Sequence, residues 1–178
     1  MTPREQVEYS ELRATIRERG TTRVWLFGIG LVAWGALATA TSALTGTPVA
    51  TLLPLLVLAS IFEAVFALHV GVERIGRYLQ VFYETAEAEA RWEHAAMAFG
   101  RPQGAIGLDA LFFTPFLLAA LFNLVPALIV EPTRSELIFI LGAHALFALR
   151  LVAARQGARK QRAIDLARFQ DIKNGKAL

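Results

Sequence analysis

The sequence contains no cysteine, and Lys, Arg, Asp and Glu together make up only 19% of its 178 residues. The missing cysteine excludes disulfides, thiolate metal sites, iron–sulfur clusters and cysteine nucleophiles. The scarcity of charge sets the chain apart from ordinary soluble domains, which carry about 25% charged residues. No Gly-Lys-Ser/Thr phosphate loop, His-Glu-x-x-His or Gly-x-Ser-x-Gly occurs, so no catalytic signature announces an enzyme. A formal charge of +3 is too small to argue for nucleic acid as a partner.

What the chain has instead is apolar sequence in long blocks, 55% hydrophobic in all, which excludes a disordered chain. The blocks cover 24–44, 49–72, 110–130 and 137–154. A hydrocarbon core about 30 Å thick needs roughly 20 helical residues. Lipid offers the backbone no hydrogen-bond partners, so each block must be helical, and the alternation of a β-barrel is absent. The fold class read from this pattern is an all-α integral membrane protein with four transmembrane helices. The first block exceeds a signal-peptide core and follows 23 residues unlike a short leader, so a span is expected there, not a cleaved signal.

Basic residues set the expected orientation. Of the 18 Lys and Arg, seventeen lie in 1–23, in 73–101 or from Arg150 onward, and only Arg134 falls between spans three and four. This is a positive-inside pattern. It places both termini on the cytoplasmic side of a bacterial-type inner membrane, with anionic lipid as a neighbour at that face.

The chain then divides into a cytoplasmic amphipathic helix (1–23), a first hairpin (24–72), a cytoplasmic helix (73–100), a linker (101–108), a second hairpin (109–154) and a basic tail (155–178). Thr2 with Glu5 reads as a capping box, with Pro3 at the first helical position. Tyr9, Leu12 and Ile16 form a stripe, and Gly20 is the expected stop. Span two is expected to continue as one helix to a stop at Gly100, supported by the pairs Glu73–Arg77 and Glu87–Arg91. Span four is expected to continue to about Lys173. Thr47-Pro48 and Thr133 with Glu136 start spans two and four after minimal outer turns.

Glu63 is the most informative residue. It lies about 13 Å into its span by helical rise, where an ionisable group costs roughly 2.5–3.5 kcal/mol and is a functional hypothesis or a polar clamp. Arg150, about 6 Å deep by the same rise, is its candidate partner. His69 and Glu73, one turn apart with Arg77 beyond, form a ladder at the cytoplasmic interface. Two ligands are too few for a closed metal site. Asn123, His144 and Thr39 make a second polar layer, read as packing glue more than as a proton relay. Gly35, Thr39 and Ala43 form a small-residue stripe suited to close helix approach. Pro115 and Pro126 mark expected bends in span three. The acidic run around Glu84, Glu87, Glu89 and Glu93 misses the Glu-x-x-His of a di-iron helix, because Arg91 stands three before His94. No metal or cofactor is expected.

Three functional classes follow. The first is an oligomeric assembly that conducts or couples ions at Glu63. The second is a non-catalytic accessory or scaffold subunit of a larger membrane complex. The third is an intramembrane enzyme, the weakest for want of a motif. A homo-oligomer or a place in a membrane complex is expected in either of the first two.

Overall fold

A computed structural model describes residues 1–44, 47–84, 91–99 and 109–176. All regular structure among them is helical: α1 (Pro3–Ser42), a 3-10 turn (Pro48–Thr51), α2 (Leu52–Phe82), α3 (Trp92–Phe99), α4 (Asp109–Ile129) and α5 (Arg134–Lys173). Three of these elements, α1, α2 with its leading turn and α5, are long and apolar enough to cross a membrane. That is the pattern of a multi-pass membrane protein. The segment expected as span three is the 21-residue helix α4, which runs through both Pro115 and Pro126.

The chain forms two compact units, an apolar one of Val24–Phe66 and Leu108–Arg155 and a charged one of Met1–Arg23, Ala67–Gly107 and Gln156–Leu178. In the apolar unit, Leu55, Leu58 and Phe62 of α2 follow i, i+3, i+7 spacing and bury one face. They meet Phe116, Ala119 and Ala120 of α4 and Phe147, Leu151 and Ala154 of α5. Phe62 is the hub: its ring meets Phe116 at 5.3 Å and Phe147 at 6.1 Å, both edge-on. Each such pair adds about 0.5–1.5 kcal/mol to the burial of the rings. Phe27, Leu31 and Trp34 of α1 close the cluster.

α1 packs tightly on α2 at Gly30, where an added Cβ would lie 2.6–2.7 Å from three side-chain atoms of Ile61. The expected small-residue stripe is not what makes this approach. Gly35 has nothing within 4 Å, and Thr39 and Ala43 are exposed. α4 turns into α5 through Glu131, held at φ 53° before Pro132, which disfavours the right-handed helical region for the residue preceding it. The expected capping box then forms: Thr133 N–H donates to Glu136 Oε2 at 2.9 Å, and Glu136 N–H to Thr133 Oγ1 at 3.4 Å.

The charged unit corrects two expected boundaries. Gly20 does not stop the first helix, since α1 continues to Ser42. An interior glycine costs only about 1 kcal/mol, no proline follows, and the Thr21 hydroxyl donates to the Arg17 carbonyl within the helix. The N-terminal amphipathic helix is therefore the first part of α1. Its Thr2–Glu5 capping box forms as expected, and its stripe packs on the chain itself: Tyr9 meets Tyr83 at 5.4 Å, and Tyr78 donates to Glu8 at 2.6 Å. That hydrogen bond to the carboxylate pushes the Tyr78 phenol up to about 12.

Nor does a single helix run from 73 to 100. α2 ends at Phe82, where the Glu84 N–H reaches back to the Leu79 carbonyl at 3.1 Å. Glu84 then accepts the backbone N–H groups of Glu93 at 2.7 Å and His94 at 3.0 Å, together with the His94 ring. Its carboxylate caps α3, a use of an acid that helical periodicity does not reveal. Glu87, Gly100 and the linker 101–108 lie outside the described residues. α5 does run past Gly157 to Lys173, and closes at Gly175 with φ 69°. There Lys176 N–H bonds the Asp171 carbonyl and Gly175 N–H the Ile172 carbonyl, the pattern of a Schellman stop.

Two predictions follow from these contacts. Gly30→Ala forces Ile61 to move and costs about 1–3 kcal/mol in thermal or denaturant unfolding. Gly35→Ala, with open space around it, leaves stability unchanged or slightly raised. The Glu84 carboxyl is buried, which by itself would raise its pKa, but the backbone bonds from Glu93 and His94 and the His94 ring outweigh burial and hold it below its ordinary value of 4.5. A carboxyl depressed in the folded state contributes stability that is present above pH 4.5 and is lost as pH falls through the lower folded value. Protection factors of the α3 amides, taken relative to the intrinsic exchange rate at each pH, should therefore fall under acid, and in Glu84→Ala at neutral pH by about tenfold, the equivalent of one lost cap.

Candidate functional site

The apolar unit holds the pair expected from the sequence. Arg150 on α5 donates Nε to Glu63 Oε1 and Nη2 to Glu63 Oε2 of α2, both at 2.7 Å. Both carboxylate oxygens are engaged by a planar fork, the strongest geometry open to this pair. The guanidinium carbon also lies 5.5 Å from the Phe66 ring centre and 6.0 Å from that of Phe62, and the two rings stack at 5.7 Å. Arg150 thus spans the depth difference between the residues with its long stem and rests its charge on aromatic faces. The pair does not face the core: the Arg150 and Glu63 side chains are 43% and 49% exposed.

Asn123 and His144 are brought together, and both are buried. Asn123 Nδ2 donates to the Thr51 carbonyl at 2.7 Å and lies 3.2 Å from His144 Nε2, while His144 Nδ1 lies 2.8 Å from the Ile140 carbonyl. A neutral imidazole with its hydrogen on Nδ1 satisfies every one of these contacts. One ring nitrogen ties α5 to α4 and the other bonds a carbonyl of its own helix, while Asn123 ties α4 to the 3-10 turn. Thr39 does not join this layer; its exposed hydroxyl donates to the Gly35 carbonyl of its own helix. The Thr51 carbonyl was invisible in the sequence, because a backbone acceptor leaves no residue signature.

In the charged unit, the ladder His69–Glu73–Arg77 gains partners from two other helix segments. His69 Nδ1 lies 2.9 Å from Arg23 Nη1 of α1. Glu73 Oε2 accepts from Arg77 Nη2 at 3.2 Å and lies 2.9 Å from Arg162 Nε of α5. Asp165 pairs with Arg74 at 3.2 Å and accepts from Gln161 at 2.7 Å. Among the described residues, no three His, Asp or Glu groups gather as a metal site would need. Sequence reading found His69, Glu73 and Arg77 of this cluster and missed Arg23, Arg74, Arg162 and Asp165. The only signal for them was that acids are rare in the basic tail, which makes Asp165 conspicuous.

The chain matches no family model, no curated protein and no solved structure. Its geometry alone carries the functional reading.

The Glu63–Arg150 pair yields a double-mutant cycle. In lipid nanodiscs, Glu63→Leu or Arg150→Leu alone leaves one charge without its partner and should lower stability by about 3 kcal/mol. The double variant Glu63→Leu/Arg150→Leu should recover at least half of that loss, read as Tm by calorimetry.

Proposed function

We propose that the protein is a four-span inner-membrane protein with both termini cytoplasmic, and that it works as a non-catalytic assembly subunit that self-associates through the face carrying Glu63 and Arg150. The observation that carries this reading is the bidentate ion pair standing half exposed on an otherwise apolar surface. Leu53 and Leu56 of α2 and Leu146 and Leu149 of α5 are more than half exposed; Ser60, next to Glu63 on α2, is also exposed. Acyl chains solvate that pair poorly, and a charged residue in a span belongs at a protein interface or a wet cavity.

A second copy is the occupant that fits. A two-fold axis along the membrane normal reverses the direction from Glu63 to Arg150, so each carboxylate faces the partner's guanidinium. The surface is self-complementary in charge. α4, with its apolar stretch Phe113–Ile129, supplies the remaining crossing. The positive-inside bias supports the orientation.

Ion conduction at Glu63 is less well supported. A carboxylate with both oxygens held by an arginine has little freedom to take and release a cation or proton. The scaffold reading makes the same pair a static joint.

The lack of cysteine makes the test direct. Ser60→Cys, the only thiol in the chain, should form a disulfide-linked dimer under mild oxidation in native membranes, as a two-fold face would bring the pair within about 7 Å. Val32→Cys, on the exposed face of α1, should stay monomeric. Cross-linking at position 32 and not at 60 would move the interface to the small-residue side of α1 and sink the proposal. In liposomes the wild type should pass no ions; a flux that Glu63→Gln abolishes would favour the conducting assembly instead.

A further inference from the structure

The charged unit packs many of its rings on one another. Tyr9 meets Tyr83, Tyr78 meets Phe82 and Tyr83, and both Tyr78 and Phe82 meet Phe169. Trp92 and Phe99 of α3 instead stand 65% and 90% exposed. At about 100° per residue they fall on one face of the helix, together with Ala95, which is also exposed. The other side of α3 is fixed to the chain. Glu93 meets Arg13 at 2.7 Å, and Glu84 takes the backbone N–H groups of Glu93 and His94 and the His94 ring. A helix held by its polar residues, with its aromatic face uncovered, has the form of an amphipathic surface helix.

The depth at which α3 begins says what covers that face. The apolar run of α2 ends at Val72, and the helix continues unbroken to Phe82. Glu93 lies against α2 at Gly76, where an added Cβ would be 2.8 Å from its Oε2. Gly76 is four residues beyond Val72, about 6 Å by helical rise. The polar layer on each side of the hydrocarbon is itself about 5–8 Å thick, so α3 starts at headgroup depth. Tryptophan is one of the side chains that settle at that boundary, and the next apolar run begins at Ala110, eleven residues after Phe99. A protein partner fits less well. Two aromatic rings bury about 150–250 Å² each, well short of the roughly 800 Å² per side of a stable protein interface.

We propose that α3 is an interfacial anchor, lying in the headgroup layer at the end of the α2 span with Trp92 and Phe99 sunk into the edge of the hydrocarbon. Burial of apolar surface drives the contact, so it needs no particular headgroup charge. Through Glu84 and Glu93 the anchor holds the end of α2 and the first part of α1 at a fixed depth. The inference needs α2 to cross the bilayer and does not depend on self-association.

The test uses the full chain reconstituted in phosphatidylcholine vesicles. Trp25→Phe/Trp34→Phe leaves Trp92 as the sole indole. Lipid brominated near the headgroup should remove about half of its emission, and lipid brominated near the chain end less, because an interfacial helix sits only about 5–10 Å deep. Iodide in the water should quench less than the shallow bromolipid. The absence of cysteine allows a second readout should Trp34→Phe disturb the packing. Phe99→Cys in the otherwise native chain should react with a water-soluble maleimide about tenfold more slowly than Gln170→Cys, since apolar surroundings raise a thiol pKa. Gln170 is an exposed position of the same unit. Quenching by iodide without quenching by bromolipid would overturn the proposal and leave the face to a protein partner. Protection from both quenchers would also overturn it, pointing to a second copy over α3. Equal labelling at 99 and 170 would overturn it from the thiol alone. Cross-linking at Ser60 reports on a residue of the other unit, so either proposal can fail without the other.

Discussion

Hydrocarbon gives a polar group nothing to bond, and the apolar unit is organised around that constraint. Several polar side chains within its helices are answered by the chain itself, although the buried Trp34 Nε1 is not. Glu63 is gripped by Arg150 through both oxygens. Asn123, His144 and the Thr51 carbonyl answer one another. The hydroxyls of Thr39, Thr41 and Ser60 turn back to carbonyls one turn earlier in their own helices. With these demands met internally, the unit is free to pack through Phe62 and its neighbours and to present an apolar exterior. The exception to that exterior is the Glu63–Arg150 pair, which is satisfied in hydrogen bonds but not in burial. A group fully bonded yet half exposed is the observation on which the proposed self-association rests.

The charged unit solves a different problem. Its helix segments meet mainly through ion pairs and tyrosine rings, not through a large aliphatic core. Glu84 closes α3 onto the end of α2, Arg13 bonds Glu93 at 2.7 Å, and Lys173 bonds the Val81 carbonyl at 2.6 Å. Partly exposed pairs of this kind are each worth little, about 0–1 kcal/mol. Their value lies in number and in register, because each joins residues far apart in sequence. Such a unit is sensitive to charge in a way that the apolar one is not.

The contrast explains what the sequence disclosed. Helix existence was legible from apolar block length, and the far end of α5 from Asn174-Gly175. The Thr2 and Thr133 caps were legible because a capping box is a local pattern of four residues. Gly20 misled because a glycine stop needs a competing structure to take over, and Thr21 and Thr22 offer none. The end of α2 misled for the opposite reason. Nothing local breaks the helix near Phe82; a carboxylate ten residues away from the amides it caps does so. Among the polar residues, Glu63 and Arg150 were found because charge in an apolar block is rare. Arg23, Arg162 and Asp165 were not, because charge in a basic flank is common and tertiary pairing leaves no trace in composition.

The same reasoning separates the two uses of arginine in this chain. Arg150 is matched one to one with Glu63, so its charge is spent inside the pair and its remaining role is geometric: it fixes α5 against α2 and shapes the outer face. Arg77 and Arg162 meet on the Glu73 carboxylate, which ties α2 to α5 within the charged unit. A matched pair resists further ligands, because any newcomer must displace a bidentate partner. A shared carboxylate instead acts as a junction, joining two helix segments through one side chain. Arginine thus serves in one unit as half of a closed pair and in the other as a spoke on a shared acid.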